Sequence, residues 1–166
     1  MTILQIIIAT LAYLVALVAA VYFTRPSLRR VTGALAGGAV AGFFGMGAVV
    51  LGNALAVWRV PISWTPVFVS LFYLGLAISV SPIYLVTWRV ARRFGWRGLA
   101  VSIGVVAIIG PPRDYMYAAM FPEWMVFAPG ALPVIADAVA YIGIVALGHA
   151  VMRLIAGPAR EDRLSR

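Results

Sequence analysis

The arginines of this chain alternate. Long apolar stretches are joined by short connections, and the basic side chains collect on every second one. Arg25, Arg29 and Arg30 lie in the first, Arg89, Arg92, Arg93 and Arg97 in the third, and Arg153, Arg160, Arg163 and Arg166 close the chain. Of the 13 basic residues only Arg59 and Arg113 fall elsewhere, in the connections that also carry Asp114 and Glu123. Repeated membrane crossing produces this pattern, because connections on the cytoplasmic side retain Lys and Arg. A soluble fold has no physical reason for it.

Composition agrees. The chain is 64% hydrophobic and 11% charged, with a mean hydropathy of +1.03, whereas a soluble domain is about half apolar and about a quarter charged. Five segments approach the ~20 helical residues needed to cross a hydrocarbon core: about 3–23, 31–57, 66–88, 99–117 and 132–155. The expected fold is an all-α integral membrane protein, a bundle of five transmembrane helices over residues 1–157, with the N-terminus outside. Residues 158–166 read as a short charged cytoplasmic tail. Prolines mark most boundaries, and Pro82 is expected to kink the third span. Trp58, Trp64 and Trp124 form an expected outer aromatic belt, and Tyr22, Trp88 and Trp96 an inner one. The first apolar segment lacks a basic residue before it, so it reads as a retained span and not as a secretory signal.

The side chains that are missing exclude whole chemistries. Without cysteine there is no disulfide and no thiolate metal site. Without lysine a retinal-type Schiff base has no attachment point. A single histidine, His149, cannot build a multi-histidine metal site. It is expected to be hydrogen-bonded within the bundle; axial ligation of a haem or pigment is the alternative. The arginines flank spans, so the net charge of +8 reads as contact with anionic lipid and not with nucleic acid.

Four groups of residues stand out. Span two carries tandem GxxxG units, Gly33 to Gly37 and Gly38 to Gly42. Small residues at that spacing let a second backbone approach closely. The approaching helix is expected to belong to the same bundle; the alternative is a partner protein or a second copy docked through span two. Asp137 lies several ångströms inside the hydrocarbon, where a carboxylate is costly. It is expected to face the bundle, with Tyr141 four residues on as hydrogen-bond donor and Arg113 or Arg59 as ionic partner. Gly110-Pro111-Pro112-Arg113-Asp114-Tyr115 combines two lost backbone donors with two charges, and the prolines are expected to interrupt the helix. An outer-leaflet polar pocket of Asn53, Arg113, Asp114, Tyr115, Glu123, Asp137 and Tyr141 follows as a candidate site. Residues 116–127, apolar and aromatic with three methionines, read as an interfacial segment on the outer surface.

Three functional expectations result. The first is a non-catalytic accessory or partner-binding subunit of a membrane complex. The second is an outward-facing binding or transport module for a small molecule, or one coupled to protons, using the polar pocket. The third is a membrane enzyme acting on a lipid or isoprenoid through Asp114 or Asp137 as acid. A bacterial inner membrane is the expected setting.

Overall fold

The computed structural model describes residues 1–158, so Arg160, Arg163, Arg166 and nearly all of the expected tail lie outside the described residues. Four long apolar helices form the protein: α1 (Ile3–Thr24), α2 (Leu28–Ala54), α3 (Pro66–Met120) and α4 (Leu132–Ala156). Each is long and apolar enough to cross a membrane, which makes the chain a multi-pass helical membrane protein. Local sequence sets their ends. Thr2 and Gln5 form a capping box, with Gln5 Oε1 accepting from the Thr2 amide at 2.7 Å. Arg25 adopts the left-handed conformation (φ 47°) just before Pro26, which ends α1. Ser27 caps α2, and Pro66 and Pro133 sit in the first turns of α3 and α4, where a missing amide proton costs nothing.

Helix α3 reverses direction within itself. Gly95 alone leaves helical dihedral space (φ 67°, ψ −150°), dividing the helix into arms 66–94 and 96–120. A continuous helix would hold Ser79 and Arg113 about 50 Å apart, yet both line the same internal cavity. The second arm therefore folds back beside the first. The arginine-rich gap expected at 89–98 collapses to this one residue, in a conformation that favours glycine.

One sequence expectation about proline is corrected here. Pro111 and Pro112 do not interrupt α3; Pro82 lies within its first arm with helical dihedrals. In lipid the remaining backbone groups have no water to turn to, so staying helical costs less than releasing a whole turn. The segment expected at the interface is also divided: residues 116–120 are the last turn of α3, and 126–127 form a strand. That strand, β2 (Val126–Phe127), pairs antiparallel with β1 (Trp58–Arg59), Trp58 opposite Phe127. This small ribbon ties the α2–α3 connection to the α3–α4 connection, and sequence reading missed it.

The bundle has two unlike ends. One holds the ribbon, both long connections and the start of α1, where Gln5 Nε2 donates to Glu123 Oε1 at 3.3 Å. At the other, Arg30 is 1% exposed and its guanidinium donates to the carbonyls of Gly157 (3.0 Å) and Ala156 (3.2 Å). Arg25, Arg29, Arg89, Arg92, Arg93, Arg97 and Arg153 share that end. Trp88, expected at its interface, is instead fully buried with the Arg30 guanidinium 5.4 Å above its ring.

Close backbone approach holds the centre together. Gly33 and Gly37 face α4, against Met152 and Gly148, while Gly38 and Gly42 face the first arm of α3, against Ala77, Ser81 and Tyr73. The glycine strip thus packs inside this chain on two sides. Hydroxyls add interhelical ties: Tyr84 donates to Ile144 O (2.9 Å) and Tyr73 to Ala39 O (2.9 Å). His149 is buried with Nδ1 3.1 Å from the Thr87 hydroxyl. Outward, Leu11, Val15, Val18, Ile108 and Val139 are exposed large apolar side chains, as lipid contact demands.

Candidate functional site

A cavity of about 440 Å³ lies in the half of the bundle nearer the ribbon. All four helices wall it, from Trp124 and Met125 in the α3–α4 connection down to Ile83 and Ile144. Most of that wall is apolar. Small residues create the space: Ala9, Gly45, Gly75, Ala118 and Ala140 stand where larger side chains would fill it.

A polar cluster occupies one side. Arg113 Nε and Nη2 donate to Asp114 Oδ1 at 2.9 and 2.7 Å, and the Tyr141 hydroxyl donates to Asp114 Oδ2 at 2.7 Å. Arg113 Nη2 also donates to the Tyr141 oxygen, closing a triangle. Neighbouring residues on a helix point away from each other. Arg113 and Asp114 pair because both long side chains converge on Tyr141 from α4. The approach needs Gly110, where a Cβ would collide with the Tyr141 ring. The pair is partly accessible, with the Arg113 side chain 40% and that of Asp114 20% exposed, which fits a cluster facing a cavity.

Asp137 stands one turn before Tyr141 on the same face of α4. It is 7% exposed, and its Oδ2 atom has no hydrogen-bond partner. The expected bond from Tyr141 is corrected: that hydroxyl is committed to Asp114. Of the expected ionic partners, Arg113 lies near Asp137 but makes its ion pair with Asp114, and Arg59 lies exposed on the ribbon.

The structure therefore gathers Arg113, Asp114, Asp137 and Tyr141 of the expected pocket and places three others outside it. Asn53 is a backbone mimic: its amide donates to Val60 O (3.0 Å) and accepts from Val60 N (2.8 Å), bracing the turn before the ribbon. Tyr115 stacks on Phe127, ring centroids 4.0 Å apart, and its hydroxyl is buried near Asp137 without a hydrogen-bond partner. Glu123 is exposed and holds Gln5. Conversely, Thr10, Tyr13, Ser79, Tyr117 and Trp124 line the cavity unforeseen. Thr10 and Tyr13 carried a usable signal, since their spacing of three puts the polar groups of α1 on one face. Among the described residues no group of three or more His, Cys, Asp or Glu is placed to hold a metal ion.

No family model, curated protein or solved structure matches this chain significantly. The chemistry of the cavity has to stand alone. An apolar chamber with a few convergent polar groups is the usual form of a small-molecule site. Within the triangle the Tyr141 hydroxyl and both Asp114 oxygens are already committed to one another and to Arg113.

The triangle's hydroxyl is open to a direct test. Tyr141→Phe keeps the ring against Gly110 but removes one partner each from Arg113 and Asp114. The expected loss is about 1–2 kcal/mol of stability, read as an earlier unfolding midpoint on titration with sodium dodecyl sulfate in mixed micelles.

Proposed function

We propose that this protein is a membrane-embedded binding module whose internal cavity receives a small, largely apolar molecule. One observation carries the reading: the chamber of about 440 Å³ with Arg113, Asp114, Asp137 and Tyr141 on an otherwise mainly apolar wall. Pockets for compact ligands span about 300–1,000 Å³. In the same proposal the two arms of α3 count as separate crossings, giving five. The arginine end is cytoplasmic and the N-terminus outside, on the charge rule. The cavity then lies in the outer half of a bacterial inner membrane. An accessory subunit docked through span two has less support, because Gly33, Gly37, Gly38 and Gly42 are buried against the chain's own helices.

Gly45→Leu tests the cavity. A Cβ there meets only Leu76 Cδ1, at an ordinary 3.7 Å, so a larger side chain starts without a clash at a position on the cavity wall. Native mass spectrometry of protein extracted gently from its membrane is expected to show a discrete small-molecule adduct, absent from Gly45→Leu. A second polypeptide at fixed stoichiometry, with no adduct, overturns the reading in favour of a subunit.

A further inference from the structure

We propose that the cavity selects molecules whose apolar body carries a single ammonium group, with Asp137 as its counter-ion. This rests on the binding reading above and names the class of ligand. Three side chains lining the cavity carry formal charge: Arg113, Asp114 and Asp137. The first two neutralise each other at 2.7 Å, and Tyr141 occupies the second oxygen of Asp114. Asp137 remains, lining the same cavity: one of its oxygens has no donor, and Arg113, the cation nearby on α3, is already paired with Asp114. An unsatisfied buried carboxyl costs far more than an exposed one. A helix that sets such an acid in the wall of a mainly apolar cavity leaves its charge to be balanced from inside that cavity.

The rest of the wall fits such a molecule. Phe72, Leu76, Val80 and Ile83 from the first arm of α3 offer hydrocarbon for the body. Tyr13 adds an aromatic ring to the wall, a group that attracts cations through its quadrupole. An anionic ligand is disfavoured, since Arg113 already has its carboxylate with Asp137 beside it, and the Met1 ammonium, the other cation on the wall, donates to Glu123 O. A metal ion is disfavoured by the small number of ligating side chains.

Three probes with one body separate the possibilities: octylammonium, octanol and octanoate, titrated calorimetrically into the protein in zwitterionic nanodiscs, with empty discs as blank. Octylammonium is expected to bind about tenfold tighter than octanol, the scale of one hydrogen bond to a charged group, and octanoate no tighter than octanol. Asp137→Asn should remove that tenfold preference. Gly45→Leu should abolish all three. Equal affinities for octylammonium and octanol, or tightest binding of octanoate, overturn the ammonium assignment while the cavity stands. Binding of none of the three, or binding that survives Gly45→Leu, overturns the cavity reading as well. The wild-type ranking decides the matter even where Asp137→Asn fails to fold.

Discussion

Gly37→Leu is expected to abolish folded protein, whereas Gly47→Leu, ten residues along the same helix, leaves it intact. A Cβ on Gly37 would fall well inside van der Waals contact distance of the Gly148 carbonyl oxygen and 3.3 Å from Gly148 Cα. These are backbone atoms, so no rotamer change relieves the clash. Helix α4 would have to move away from α2, and it cannot do so independently. Gly148 is itself packed against the Tyr84 ring, and Tyr84 is tied to Ile144 by its hydroxyl. The substitution thus opens the contact among α2, α3 and α4 that buries Ala34, Leu85, Trp88 and Met152. Ordinary overpacking costs about 1–3 kcal/mol; separating backbones at the centre of a core belongs with the largest single-residue effects, about 4 kcal/mol or more. Gly47 has nothing within 4 Å of the same added atom, and losing a helical glycine gains up to about 1 kcal/mol. Yield of monodisperse protein in mild detergent reads both outcomes. Normal folding of Gly37→Leu would mean that the glycine strip does not pack on α4, and would return it to an external partner.

How far the sequence reveals this structure depends on whether the deciding contact is local. Hydropathy and charge locate the helices closely: expected spans at 3–23 and 132–155 meet Ile3–Thr24 and Leu132–Ala156. The reversal inside α3 was legible as a gap. Its width was not, because the four arginines around it look like a loop and are instead helical, with one glycine making the turn. At Pro111-Pro112 the local rule was sound, yet the apolar surroundings outweighed it. The site shows the same divide. Spacing put Asp137 and Tyr141 on one face of α4, which holds. Spacing cannot say which residue from another helix captures the Tyr141 hydroxyl, and Asp114 does so from a position where helical geometry alone points it away from Arg113. Asn53 was read as a pocket residue for its polarity; its actual partner, Val60, lies seven residues on, in a turn that hydropathy does not register. The ribbon joins residues 68 or so apart in sequence, too short in each strand for any alternation to be visible.

Arg30→Met is expected to destabilise the bundle by about 3 kcal/mol, and Arg30→Lys by roughly half of that. The Arg30 guanidinium spans the carbonyls at the end of α4, reaching Ala156 and Gly157 and, at 3.4 Å, Pro158. Those oxygens have no intrahelical donor, and the negative end of the helix dipole adds to the attraction. Methionine preserves the hydrocarbon stem over Trp88 but supplies no proton, so the loss is that of several charge-assisted hydrogen bonds in a site 1% exposed. Lysine keeps the charge on one point and cannot fork between carbonyls on successive residues. The graded order, arginine above lysine above methionine, separates this geometry from a general need for positive charge at the arginine end. Unfolding midpoints in mixed micelles would rank the three proteins. Lysine equal to arginine would show that charge alone matters there, and methionine equal to arginine would show that the end of α4 is held by other contacts. The consequence reaches the cavity, because α4 carries both Asp137 and Tyr141.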